Sequence, residues 1–173
     1  MPSAKLRRLI CGLMMGHSTF ALADEQSEYT LKAAFLYNFA VYTTWPALRE
    51  NSFNLCVYGS DPFGIHLDTL MQKKKVNERT ITIQRINDIK QLDQCQLVFI
   101  SSSAMSHLTN IVDMLKNQPV LTVADSPGAG EQGVILNMII KDDKVTFAAN
   151  LSAAKKIGIN LSAQLLRFAI EIN

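Results

Sequence analysis

Phe53-Asn54-Leu55-Cys56-Val57-Tyr58-Gly59-Ser60-Asp61-Pro62 decides the architecture of this chain. Phe53 to Tyr58 alternates as a strand. Asp61 is placed to cap a helix and Pro62 to be its first residue, so Phe63 to Met71 reads as a short helix. Thr80-Ile81-Thr82-Ile83-Gln84 is a second strand, with Ile81 and Ile83 on one face. Asn87 caps a helical turn through Leu92. Leu97-Val98-Phe99-Ile100 is apolar throughout, as expected of a strand covered on both sides. Ser103 caps a helix from Ala104 to Lys116 whose inner face carries Leu108, Ile111, Val112 and Leu115. Pro119 to Ala124 is the next strand. Strands alternating with helices predict a largely parallel sheet with helices on both faces.

Further along, the loop Asp125-Ser126-Pro127-Gly128-Ala129-Gly130 leads into a hairpin, Val134 to Ile140 and Lys144 to Ala149, turning at Asp142-Asp143. Ser152 to Ile157 reads as a helix stopped by Gly158. Ser162 caps a last helix carrying Leu165, Leu166, Phe168 and Ala169. Upstream, Tyr29, Ala33, Leu36 and Ala40 recur at helical spacing, with Phe35, Phe39 and Tyr42 widening the face. A helix over 27–43 follows, capped by Ser27 and ended by Pro46. The expected fold is therefore α/β: a mixed, largely parallel central sheet of about six strands, helices on both faces, and an N-terminal helix.

The first 23 residues read as a cleavable secretory leader. Lys5, Arg7 and Arg8 form a basic start, Leu9 to Phe20 is mostly apolar, and Ala21-Leu22-Ala23 offers small residues to a signal peptidase. The apolar run falls short of the roughly 20 residues that span a bilayer. Cys11 lies inside that run behind Arg8, which argues against a lipidated cysteine. Cleavage after Ala23 leaves residues 24–173 as one domain, exported and expected in a bacterial periplasm.

The leader also distorts the charge. The whole chain holds 17 basic and 15 acidic residues, and the leader takes three of the basic ones, so the remainder is close to neutral. No strong field is left to attract nucleic acid. Lys73-Lys74-Lys75 is the one basic run and reads as a solvated loop. Cys56 and Cys95 remain after cleavage, and an oxidising compartment favours closing such a pair. The loop closed would stabilise the fold by roughly 3–4 kcal/mol; two free buried thiols are the alternative.

Motifs for chemistry are weak. Gly128-Ala129-Gly130-Glu131-Gln132-Gly133 is a literal G-x-G-x-x-G, but the segment after it reads as a strand. A dinucleotide site needs a helix N-terminus there, so no cofactor is expected. Ser101-Ser102-Ser103 and His107 lack the G-x-S-x-G turn of a hydrolase. His66 and His107 lie in no metal-ligand spacing, so no metal is expected either. No pair of carboxylates stands out for acid–base work, and no catalytic residue is assigned.

The ordered blocks of the chain resemble the YfiR-like family of periplasmic proteins. The blocks are Leu31-Lys32-Ala33-Ala34-Phe35-Leu36-Tyr37-Asn38-Phe39 with Thr44-Trp45-Pro46, then Leu55 to Gly64, and Cys95 ahead of Leu97-Val98-Phe99-Ile100. They continue through Gly133 to Asn137, Val145 to Leu151, and Leu161 to Arg167. The resemblance implies a regulator, not an enzyme. Its partner would be the periplasmic part of an inner-membrane diguanylate cyclase (YfiN-like), and an outer-membrane YfiB-like lipoprotein would release the repression, with cyclic-di-GMP and biofilm as the output. It also implies a redox response through disulfides and leaves room for a homodimer. Relatives carry a second cysteine pair near the positions of Gly130 and Asn137, and this chain has neither.

Trp45 and Pro46 at the helix end, and Phe147 and Asn150, are the candidates for partner binding. Each has a plainer role open to it: Trp45 and Phe147 as core, Asn150 as a helix cap. A second functional reading is a small-molecule carrier or sensor acting on another membrane sensor. Its ligand would lie beyond the strand ends, lined by the loops after Tyr58 and Ile100 and by Asp125 to Glu131.

Overall fold

The computed structural model describes residues 20–46 and 51–173. Its elements are α1 (Phe20–Val41), β1 (Thr43–Thr44), β2 (Ser52–Tyr58), α2 (Ile65–Met71), β3 (Lys75–Val76), β4 (Arg79–Ile86) and β5 (Leu97–Ile100). After these come α3 (Leu108–Leu115), β6 (Leu121–Ala124), β7 (Leu136–Lys141), β8 (Lys144–Ala149), α4 (Leu151–Lys156), β9 (Asn160–Leu161), α5 (Ala163–Leu166) and β10 (Glu171–Ile172). Two 3-10 turns, Ile89–Gln94 and Ser102–His107, flank β5.

The main sheet runs β10-β8-β7-β6-β5-β2-β4-β3. Pairs among β4, β2, β5, β6 and β7 are parallel, β7 pairs antiparallel with β8, and β10 pairs parallel with β8. The mixed, mainly parallel sheet expected from the alternation is present. Eight strands replace the six expected, because two short ones sit at the edges. β3 folds back on β4 through Asn77 and Glu78, both at positive φ, so Lys75 belongs to a strand rather than a loop. A glutamate in left-handed backbone gives no turn signal in sequence. β10 is two residues long, too short to show a period.

Alternation within each strand divides the core. Phe53, Leu55 and Val57 of β2, Leu97 and Phe99 of β5, and Leu121 and Val123 of β6 face one cluster. Ala33, Leu36, Phe39 and Ala40 of α1, Leu67 and Met71 of α2, Ala154 and Leu165 cover it. Cys56, Tyr58, Val98, Ile100 and Ala124 point the other way, under Leu92, Ala104 and the α3 residues Leu108, Ile111 and Leu115. Each large apolar side chain so buried contributes about 1.5–3 kcal/mol. The second cluster holds no residue of β7, β8 or β10.

The disulfide Cys56–Cys95 is formed, with Cα atoms 6.0 Å apart. It follows from the parallel pairing of β2 with β5, in which Leu55 lies opposite Leu97. Around it, Asn54 N donates to Gln96 Oε1 (2.6 Å) and Trp45 Nε1 to Gln96 O (3.1 Å).

Several local boundaries differ from expectation. α1 starts at Phe20, with Ser27 inside it, because no Gly or Pro interrupts the segment. It ends at Val41 because Thr43 and Thr44 pair with β9. The leader expected over 1–23 lies mostly outside the described residues. Asp61 accepts from Phe63 N (2.8 Å), yet α2 begins only at Ile65, after Gly64 at φ 54. Asp88, not Asn87, caps the 3-10 turn, accepting from Lys90 N. Ser103 caps nothing, since its hydroxyl is engaged elsewhere and α3 starts at Leu108. Ser162 does cap α5, accepting from Leu165 N (3.1 Å).

Arg85 of β4 fixes α2 to the sheet. Its guanidinium reaches Asp61 Oδ2 (2.8 Å) and Asp68 Oδ2 (2.6 Å) and donates to Gly64 O (3.1 Å). The hydrogen bond from Arg85 holds the Asp68 carboxyl below its ordinary value, against a smaller opposing effect of burial.

Candidate functional site

In an open parallel sheet a ligand crevice forms beyond the strand ends where the chain reverses direction across the sheet. Here β2 has β4 on one side and β5 on the other, so that point lies between the loops after Tyr58 and Ile100. These loops close on each other. Ser103 Oγ accepts from Ser60 N (2.9 Å) and lies 2.7 Å from Ser101 Oγ. Gly59, at φ +92, lies under them, and a Cβ there would stand 2.5 Å from Ser101 Oγ and 2.8 Å from Ser103 Oγ. The two serines occupy the place a ligand would need.

The third loop foreseen for a ligand, Asp125 to Glu131, behaves differently. Together with β7, β8 and β10 it bounds a cavity of about 680 Å³. Asp125 stands at its rim, held from behind by α1. Lys32 Nζ lies 2.6 Å from Asp125 Oδ2 and 2.5 Å from Glu28 Oε1. Tyr29 Oη donates to the same Asp125 oxygen (3.1 Å), and the Lys32 ammonium sits 4.4 Å from the Tyr29 ring centroid. Both members of the Lys32–Asp125 pair are 5% exposed at the side chain. A buried ion pair of this kind is held by matched geometry, since desolvation of both charges opposes it. Asn137 of β7 also lines the cavity. Its Nδ2 donates to Ser126 O (3.0 Å), and its buried Oδ1 has no hydrogen-bond partner among the described residues.

A second concavity of about 410 Å³ is aromatic and lies on the opposite side of the sheet. Phe35, Phe39 and Tyr42 of α1, Phe147 of β8, and Leu165 and Phe168 at α5 line it. The Phe39 and Phe147 rings meet edge to face at 5.0 Å between centroids. Phe168 is 67% exposed and forms an open lip.

The residues singled out from sequence fall in different places. Trp45 is buried, stacked edge-on against Phe53 at 5.1 Å. Pro46 is exposed and lies beside Gly158, where an added Cβ would stand 3.4 Å from the Pro46 Cγ. Phe147 is buried but forms the floor of the aromatic groove. Asn150 caps α4, accepting from Ala153 N (2.8 Å), and lines the polar cavity. The structure therefore does not gather these four at one spot. His66 and His107 are exposed. Among the described residues no three of His, Cys, Asp and Glu are placed to hold a metal ion, and no helix is long and apolar enough to cross a membrane. The glycine loop is followed by a strand, β7.

Lys32 and Asn137 were not picked out in sequence as site residues, and Asp125 only as the start of a loop. The signal for Lys32 was present: a lysine directly beside Ala33 on the apolar face of an otherwise aromatic helix must meet a carboxylate if that face is covered. Asn137 in an apolar strand is the same kind of signal. Which carboxylate Lys32 meets, 93 residues away, is set only by the tertiary fold.

Comparison with known proteins adds the following. No curated protein matches the chain. Among solved structures, a conserved domain protein from Vibrio cholerae O1 biovar El Tor is similar at a TM-score of 0.58 with 8% identity, over 84% of this chain and 60% of that one. The ABC domain in complex with L-Trp from Streptococcus pneumoniae is similar at 0.55 with 9% identity, over 82% and 60%. The chain thus spans about 60% of each of these structures, and the likeness is one of fold. The family model described as YfiR/HmsC-like matches residues 29–170, from the start of the inner face of α1 to the edge of β10. The chain belongs to the YfiR/HmsC-like family.

Proposed function

We propose that the protein is a periplasmic regulator that binds the extracytoplasmic sensor part of an inner-membrane diguanylate cyclase and holds the enzyme inactive. The observation that carries this reading is the match to the YfiR/HmsC-like family over residues 29–170. In this reading the protein binds the inactive state of the cyclase more tightly than the active one and so shifts its population. A tenfold bias requires only about 1.4 kcal/mol of differential affinity. A YfiB-like lipoprotein of the outer membrane would compete for the regulator and lift the repression.

The aromatic groove is the surface we assign to the cyclase. Phe147 forms its floor and Phe168 its exposed lip, and aromatic anchors in a desolvated groove dominate binding energies at protein interfaces. Trp45 would act indirectly, by fixing the chain beside the exposed Pro46.

The test is cellular cyclic-di-GMP in a deletion strain. A rise on deletion, reversed by the exported protein and not by a leaderless copy, is the expected result. Phe168→Glu should fail to restore repression while keeping the melting temperature of the parent, because the side chain is mostly in water. An unchanged cyclic-di-GMP level on deletion removes the cyclase as target.

A further inference from the structure

The end of the main sheet away from the hairpin is only partly closed. β3 pairs with Arg79 and Thr80 of β4 and no further, while β4 continues beside β2 as far as Ile86. The pairing sets the direction of the backbone groups along the rest of β4. Val76 and Arg79 flank a two-residue turn with both central residues at positive φ, so they form its hydrogen-bonded pair. Arg79 therefore turns its N–H and C=O away from β2, and so does every second residue after it: Ile81, Ile83 and Arg85. Ile86, of the other parity, turns its carbonyl inward and accepts from Gly59 N (3.3 Å). Among the described residues no backbone group bonds to Ile81, Ile83 or Arg85 from the outer side.

A groove of about 520 Å³ lies along this edge. One wall is β4 at Ile81 and Ile83, and the other is α2 with Ile65, Thr69 and Gln72. The Arg85 contacts to Asp61 and Asp68 hold the two walls in place. Ile65 is 74% exposed, so the groove has an apolar lip facing water. Where β3 leaves the edge, the chain carries Lys73, Lys74 and Lys75. The Lys74 ammonium sits over the Tyr37 ring (4.3 Å to the centroid), and Lys73 and Lys75 are exposed. With Glu78 of the turn counted, that end of the groove keeps a net positive charge.

We propose that this edge binds an extended segment of another protein, added as a further strand outside β4. Its apolar side chains would lie on Ile65 and Ile83, and a carboxylate would stand at the end beside Lys73 and Lys75. The outward N–H and C=O groups of β4 are matched by those of an extended chain, whereas a helix has already used its own. A second copy of this chain is a poor occupant. Its β4, Arg79–Ile86, has two arginines and no acid, so pairing edge to edge brings no carboxylate to the lysines. The aromatic groove lies at the opposite end of the sheet, so both can be filled at once. The inference goes beyond the cyclase reading and stands without it, since its test uses the isolated protein and measures no cyclic-di-GMP.

The probe is a blocked peptide of alternating valine and threonine that ends in two aspartates. It is set against its N-methylated form, which lacks backbone donors, and against the same peptide ending in two lysines. The readouts are the backbone amide resonances of Ile81 and Ile83 and their rates of hydrogen exchange. The acidic peptide should shift both signals saturably and slow their exchange, and the other two should bind about tenfold or more weakly. Lys73→Glu combined with Lys75→Glu, at exposed positions that spare the fold, should reverse the preference between the two charged peptides. Phe168→Glu, at the other end of the sheet, should bind the acidic peptide as the parent does. No saturable shift with the acidic peptide, an equal response to the N-methylated form, or an unreversed preference in the double variant each overturns the proposal. So does a shift of the same amides on diluting the protein alone, which would mark a second copy on the edge.

Discussion

Replacing both bridged cysteines by alanine tests how the sheet is held at its centre. The bond joins residues 39 apart in sequence, so α2, β3, β4 and the first 3-10 turn all lie within the loop it closes. In the loop-entropy account, closing about 40 residues removes about 13 cal/mol/K from the unfolded chain, or about 4 kcal/mol at 25 °C. A domain of this size has a total stability of about 5–15 kcal/mol. The double variant should therefore lose a quarter or more of it, and melt about 8–15 °C lower on the usual scaling of about 2–4 °C per kcal/mol. Alanine is preferred to serine because Cys56 and Cys95 are fully buried, and a serine hydroxyl without a partner would add about 1–3 kcal/mol of its own. The assay is urea denaturation followed by circular dichroism, with and without a strong reductant. Reductant should bring the parent down to the double variant and leave the variant where it is. The denaturant slope should also rise on losing the bridge, because the unlinked chain exposes more surface. A parent whose thiols are shown to be reduced yet whose midpoint is unmoved would refute the reasoning.

Other perturbations address other parts. Lys32→Ala leaves the Asp125 carboxylate buried without its ammonium partner and should cost about 3–5 kcal/mol in chemical denaturation. Adding Asp125→Asn to Lys32→Met should recover most of that loss, and a double-mutant cycle with no coupling would contradict the buried pair. Gly59→Ala forces a Cβ against Ser101 and Ser103 at a backbone angle that alanine resists, so a loss of about 2 kcal/mol or more is expected by the same measurement. Asp68 titrates below its ordinary value because of Arg85. Its contribution is complete above the unfolded carboxylate range and disappears as pH falls through the lowered folded value. With Asp68 partly exposed this contribution is small, and the direct check is a carboxyl titration by NMR, in which Arg85→Met should move Asp68 upward.

The order of elements was legible in sequence wherever a period could be counted. β2, β5 and the β7–β8 hairpin announced themselves by alternation, by continuous burial and by the paired aspartates at 142 and 143, which do adopt left-handed backbone. The short pieces β1, β3, β9 and β10 were not legible. Two residues have no period, and each exists only because a partner strand lies alongside it. Caps proved readable where the side chain had no competing partner, as at Ser162 and Asn150, and misleading at Ser103, whose hydroxyl is drawn across to Ser60. The candidate sites follow the same division. Phe147 could be recognised as aromatic and important to a face, but whether it floors a groove or fills a core depends on α1 and α5 meeting over it. The cavity at Asp125 to Glu131 was foreseen as a loop. Its two neighbours after Tyr58 and Ile100, foreseen on the same grounds, are shut by hydroxyls that no pattern predicts.

The placement of α1 also sets the order in which the molecule can assemble. β2, β4 and β5 are close in sequence and can pair early. Lys32 waits for Asp125, 93 residues on, and Phe39 waits for Phe147, the last strand of the hairpin. Contacts so distant along the chain form late, because the entropy of closing the intervening loop precedes any gain. Until then the part of α1 that carries Phe35 and Phe39 lacks the β8 residue, Phe147, that both rings meet. That interval is when the protein is most exposed to aggregation, and it ends only when the hairpin arrives.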